Sequence, residues 1–179
     1  MCYSCWVSDI WSYLIYGTLL GAVREQDVIA NDTDYDIALL IPGDTIEEVK
    51  ENFYKLGSIL IEKKMLGKIW TNKGAVLKPT NVEQIKNPMG QMHIMTPDGK
   101  CYIDVWLSWF YKNKYYLTKG VNGELNRNDI VPFQFGKMQD ISFVIPNNSE
   151  RVLEHVYGDD WRTPKIQKSN HQKFTMRNV

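Results

Sequence analysis

Three aspartates at alternate positions, Asp32, Asp34 and Asp36, run directly into the apolar segment from Ile37 to Ile41, and that arrangement costs stability. Read as one strand from Val28 to Ile41, the segment places Tyr35, Ile37 and Leu39 on one face and the three aspartates on the other. Pro42-Gly43 ends it. Like charges crowded beside a core strand must take up protons or recruit a cation. A hard divalent ion with oxygen ligands is the common solution. Magnesium, or manganese in its place, fits best, because it binds through a few carboxylates and completes its shell with water and substrate phosphates. Taken alone, Asn31-Asp32-Thr33 also reads as a turn, in which case some of the aspartates are solvated loop residues.

Upstream, the aromatic stretch from Trp11 to Tyr16 stops at Gly17-Thr18, and LLGAVRE then has the composition of a short helix. Glycine allows a backbone to approach a ligand closely, a helix start offers free N–H groups to an anion, and Thr18 carries a hydroxyl. Arg24, near the end of that helix, has a planar fork suited to phosphate. Each feature alone is ordinary capping or surface charge. Beside the aspartates they are complementary, one element for phosphate and one for its metal.

Further along, Ile46, Val49, Phe53, Leu56 and Leu60 recur at helical spacing, with Thr45 and Glu48 as a capping box. Gln91–Met95 and Cys101–Leu107 read as a hairpin joined at Thr96-Pro97-Asp98-Gly99, which puts Asp104 inside the second strand. Asp104 is then a further metal ligand or a general base, and His93 lies near it. A last helix is expected over Ser149–Tyr157, with Val152, Leu153 and Val156 inward and Gly158 in a left-handed terminal position. The tail from Lys165 is polar and basic without periodicity. His155 and His171 read as ordinary histidines.

Composition bounds the rest. A chain of 179 residues with 44% hydrophobic and 23% charged residues suits one α+β domain, expected over 1–164 with a tail at 165–179. Lys+Arg and Asp+Glu both total 21, so there is no overall positive field of the kind that collects nucleic acid. No apolar run approaches the roughly 20 residues a membrane span needs. MCYSCWVSDIW lacks the pattern of a signal peptide, so a cytoplasmic location is expected. Cys2 and Cys5 have the spacing of half a zinc site, but no second pair completes it, and with Cys101 the count argues against a disulfide scaffold. The sequons at Asn31 and Asn147 read as chance.

The segment YGTLLGAVREQDVIANDTDYDIAL closely resembles the signature of the LicD and fukutin-related phosphotransferases. Gly17 to Arg24 follow that family's Gly-Thr-Leu-Leu-Gly-Ala and arginine, and Asp32, Asp34 and Asp36 its alternating aspartates. Ile103-Asp104-Val105-Trp106 resembles its later Ile-Asp strand, and Tyr157-Gly158-Asp159-Asp160-Trp161 with Pro164 its C-terminal motif, so the likeness runs from about Tyr16 to Pro164. Two departures stand out: Ala30-Asn31 replaces a common Pro-Trp pair, and Thr33 a frequent aspartate.

The resemblance implies a nucleotidyltransferase-like mixed β-sheet flanked by helices. It also implies Mg²⁺-dependent transfer of phosphocholine, ribitol phosphate or a similar group from a CDP-linked donor to a glycan. On that expectation Asp34 and Asp36, with Asp104, hold the metal. Gly17, Thr18 and Arg24 bind the donor phosphates, and Asp32 and Asp104 are the remaining candidates for ligand or base. Segments 61–89 and 111–128 match nothing in the family pattern and are expected to carry donor and acceptor choice. Two rivals remain: a nucleotidyltransferase that uses a nucleoside triphosphate, and a silent glycan- or partner-binding module.

Overall fold

A computed structural model describes residues 10–30, 32–96 and 98–164. The Cys2–Cys5 pair, Asn31, Pro97 and the tail from Lys165, with His171, therefore lie outside the described residues.

Strand β1 (Trp11–Leu14) leads into helix α1 (Tyr16–Leu20), which continues as a wider π-type turn over Gly21–Glu25. Strand β2 (Asp36–Leu40) and the long helix α2 (Ile46–Glu62) follow. Next come β3 (Leu66–Thr71), β4 (Gly74–Leu77), a 3₁₀ turn (Val82–Ile85), β5 (Pro88–Met95) and β6 (Tyr102–Tyr111). The chain then forms β7 (Lys114–Leu117), β8 (Val121–Asn126), the short α3 (Arg127–Ile130), β9 (Gln134–Met138), β10 (Ile141–Ile145) and α4 (Ser149–Tyr157).

Eight strands make one mixed sheet in the order β1-β2-β6-β5-β3-β4, with β7 on the far part of β6 and β8 on β7, while β9 and β10 pair separately. The pair β2–β6 is parallel and its neighbours in the sheet are antiparallel. This is the α+β, nucleotidyltransferase-like sheet flanked by helices that the sequence leads one to expect.

Alternation along the central strands divides two cores. Ala38, Leu40 and Trp106 face a cluster with Leu19, Leu20, Val152, Leu153 and Trp161, supplied by α1, α4 and the chain after it. Leu39, Ile41, Val105 and Leu107 face the other side, where Val49, Phe53, Leu56 and Leu60 of α2 lie at 8% exposure or less. Each such side chain contributes roughly 1.5–3 kcal/mol of burial, so both faces of β2 are fixed, and with them the register of Asp36.

Three expectations need correction. The strand begins at Asp36, not Val28, because the Asp34 N–H donates to Asp32 Oδ1 at 3.3 Å and the Asp32 N–H to the Ile29 carbonyl at 2.9 Å. Side-chain and turn bonds of this kind compete with a sheet ladder. Helix α1 starts at Tyr16, so Gly17 and Thr18 lie within its first turn rather than before it. Gly158 has positive φ (89°) but extended ψ (174°), a conformation outside the left-handed helical region.

The other expected elements agree. The Thr45–Glu48 capping box is formed, and α2 runs two residues past Leu60. The hairpin extends to Pro88 on one side and Tyr111 on the other. Helix α4 has the expected bounds, with Val152 and Leu153 buried. Segments 61–89 and 111–128 hold β3, β4 and the 3₁₀ turn, and β7, β8 and the start of α3.

Candidate active site

Asp36 opens β2 and stands in register with Asp104 of β6, so two carboxylates sit side by side on parallel neighbouring strands and on the same face. Trp106, two residues beyond Asp104, shares that face and donates its indole N–H to Asp36 Oδ1 at 2.8 Å. Across the next strand His93 is registered with Asp104, and its Nε2 lies 2.8 Å from Asp104 Oδ1. Gln91 Nε2 donates to Asp104 Oδ2 at 3.4 Å.

The residues before the strand close over this pair. A Cβ at Gly17 would lie 2.8 Å from Asp32 Oδ2 and 3.8 Å from Asp36 Oδ2, so glycine is what lets the half-buried Asp32 carboxylate fold back over the helix. Thr18 is 4% exposed, and its Oγ1 accepts the Asp36 N–H at 2.8 Å. Thr18 therefore sets the backbone of Asp36. Asp34 is exposed. Arg24 donates to Glu25 at 2.6 Å and to the Trp161 carbonyl at 3.1 Å, which ties the C-terminal motif to the end of the α1 segment. Trp161 itself is buried, as a packing role requires.

Thr18→Val keeps the shape of the side chain but strands the Asp36 N–H. We expect a loss of about 1–3 kcal/mol, read as a fall of several degrees in Tm, and a larger proportional fall in turnover. An unchanged Tm would show that this bond does not set β2.

Electrostatics pick out the same row. Burial, opposed by the Trp106 hydrogen bond and reinforced by Asp104, Asp32 and Asp34, pushes Asp36 from 3.8 up to about 6. Burial also raises Asp104, against the lowering influence of His93. His93 is lowered below its usual 6.5, burial outweighing the pull of Asp104. Burial and then the negative charge of Asp36 push the phenols of Tyr16 and Tyr157 well above 10, which keeps both as donors.

The sign for stability follows from the raised value. The folded state holds the Asp36 proton more tightly than the unfolded chain does, so this stability is full below 3.8 and is lost as pH rises through about 6. We expect metal-free protein to melt lower at pH 7 than at pH 4.5 by more than Asp36→Asn does. The difference between the two should be on the order of 1–2 kcal/mol after allowance for solvent screening. Parallel melting curves would contradict the assignment.

Lys119, in the turn between β7 and β8, had no sequence signal. Its Nζ donates to Gln91 Oε1 at 2.9 Å and lies 4.6 Å from the centre of the Trp106 ring. Asp104 and Asp36 support its charge against burial. Only the β6–β7 pairing brings it here. Trp106 was more legible, since its spacing of two from Asp104 puts the indole on the carboxylate face.

Among the described residues, no three His, Cys, Asp or Glu side chains converge as a preformed metal cage. The donor set still fits an ion that needs few protein ligands. Two hard carboxylates stand adjacent, and the near neighbour of Asp104 Oδ1 is the His93 imidazole at 2.8 Å. A larger cavity of about 630 Å³ lies at the opposite end of β2, lined by Trp11, Leu40, Phe133, Phe135 and Arg127 among others. It contains none of the carboxylates of the row, so chemistry rather than volume locates the site.

A mixed sheet with paired carboxylates on its central parallel strands defines the class, a nucleotidyltransferase-like α+β domain. The chain belongs to the LicD/FKTN/FKRP nucleotidyltransferase-domain family, whose profile matches residues 9–148. That span contains Gly17, Thr18, Arg24, Asp32, Asp34, Asp36 and Asp104, and membership points to a transferase. Comparison with curated proteins finds no match. Among the described residues no helix is long and apolar enough to cross a membrane.

Proposed function

We propose that the chain transfers a phosphorylated alcohol, such as phosphocholine or ribitol phosphate, from a CDP-linked donor to a sugar hydroxyl of a glycan. Residues 1–164 form the catalytic domain in this reading and 165–179 a basic tail. The observation that carries it is the registered pair Asp36–Asp104, side by side on a shared face with a raised Asp36.

Asp36 and Asp104, with Asp34 from the preceding loop, would hold Mg²⁺ or Mn²⁺. When bound, the ion supplies positive charge for the donor pyrophosphate and the departing CMP. The protein's own groups do the rest. Gly17 leaves the space next to Asp32 and Asp36 open. Lys119, the guanidinium of Arg24 and the phenol of Tyr157 offer donors to phosphate oxygens around the row, while the Tyr16 hydroxyl is engaged with the Thr118 carbonyl. The acceptor oxygen attacks the phosphorus bearing the alcohol, the bond from that phosphorus to the CMP oxygen breaks, and a carboxylate of the row takes the hydroxyl proton, Asp104 if it does not hold the ion and Asp32 otherwise. Asp32 fixes the loop through the Asp34 N–H and adds negative charge to the site.

The test offers CDP-ribitol, CDP-choline and CDP-glycerol with a mixed glycan pool and follows CMP and pyrophosphate separately. CMP release that requires both divalent cation and acceptor, apart from slow leakage to water, is expected. Pyrophosphate from a nucleoside triphosphate, with no CMP from any CDP donor, would replace this reading with nucleotidyl transfer.

A further inference from the structure

The row of side chains that carries Asp36, Asp104 and His93 does not stop at the site. Lys68 of β3 is registered with His93, and Leu77 of the edge strand β4 with Lys68. Tyr102, two residues before Asp104 on β6, belongs to the same face. Its ring stacks on His93 with centroids 4.4 Å apart and planes 14° from parallel. Trp70 meets the other side of His93 edge-on at 4.9 Å, and Lys68 Nζ lies 4.1 Å over the Trp70 ring. Lys68, Leu77, His93, Tyr102 and Met95 border a shallow recess of about 160 Å³ beside Gly67, where a Cβ would collide with Met95 at 2.5 Å.

Among the described residues nothing covers this surface. Beneath it Ile69, Met92 and Val105 are at most 1% exposed and pack in the core that α2 covers, so the strands cannot tilt. Above it, Tyr102 is 54% and Leu77 69% exposed, and neither joins the core that α1 and α4 build over the other end of the sheet. A sheet face turned to water is ordinarily polar. Here it presents stacked rings and a leucine one strand away from the proposed nucleophile site.

The polar groups decide between occupants. The charged side chain of the recess is Lys68, which donates hydrogen bonds and cannot accept them. Tyr102 adds a hydroxyl that both donates and accepts, so the recess carries donors and an acceptor side by side. Sugar hydroxyls accept as readily as they donate, and the C–H faces of a sugar ring are apolar enough to lie on an aromatic plane.

We propose that the open face formed by Tyr102, His93, Trp70, Lys68 and Leu77 is the acceptor subsite, on which a carbohydrate chain lies with one ring against Tyr102. A hydroxyl of that ring then faces Asp104. This rests on the reading of the carboxylate row as a glycan phosphotransferase site.

The experiment uses a printed array of neutral and phosphorylated oligosaccharides, probed with wild type, Tyr102→Ala and Tyr102→Phe, with CMP affinity measured by titration on the same preparations. Tyr102→Ala should lose about tenfold or more in array signal, Tyr102→Phe should retain most of it, and CMP affinity should stay within about twofold. Wild type that binds no glycan, or Tyr102→Ala that binds as wild type does, overturns the proposal. So does a loss of CMP affinity with glycan signal intact, which would make the face a base platform. Failure of the phosphotransferase reading is seen elsewhere, as absence of CMP release by wild type from every CDP donor.

Discussion

Asp36→Asn should lower CMP release by at least about a thousandfold while leaving the fold intact. Asparagine keeps the oxygen that accepts the Trp106 indole and removes the charge that burial and three neighbouring aspartates make costly. Metal-free variant protein should therefore melt higher than wild type near pH 7, with its stabilisation by Mg²⁺ largely gone. Opposite signs for stability and activity mark a charge held in place for function rather than for folding. A variant that loses activity and stability together would instead make Asp36 a structural residue of β2.

The second large effect concerns Asp104, for which the roles of ligand and base predict different results. Asp104→Asn should depress turnover by about 10²–10⁴. If Asp104 receives the acceptor proton, donor affinity stays near that of wild type. If it chiefly holds the cation, donor affinity falls with the rate. His93→Gln separates the two further. As a partner of the proton acceptor, His93 should alter the pH profile of turnover. As a prop for a metal ligand, it should alter the Mg²⁺ concentration needed. Turnover within about twofold of wild type for Asp104→Asn would remove β6 from the chemistry.

The sheet and the carboxylates were legible for different reasons. Asp104 could be placed on a strand because Thr96 to Gly99 is turn chemistry between two apolar alternations, and α2 because its apolar period and capping box agree. The segment from Val28 to Tyr35 misled, since alternation is also compatible with a loop in which Asp32 bonds the Asp34 backbone. Its consequence is chemical: Asp34 stays exposed in a loop, and the tight pair is Asp36 with Asp104 instead of three aspartates along one strand.

What the sequence could not show was long-range register. Lys119 arrives beside Trp106 through the β6–β7 hairpin, and Lys68 lines up with His93 through the β3–β5 pairing. Neither follows from local spacing. Gly17 and Thr18, expected from the sequence to bind phosphate, lie beside the aspartates, where their geometry differs. One leaves room under Asp32, and the other fixes the Asp36 backbone.

The measurement that bears most directly on the central claim is Mn²⁺ binding followed by electron paramagnetic resonance in wild type and in the Asp36→Asn/Asp104→Asn double variant, with and without CMP. One Mn²⁺ per chain, bound more tightly with CMP present and lost in the double variant, is the expected result. Equal Mn²⁺ binding by both proteins would contradict the account, because the registered carboxylates would then not be what holds the ion.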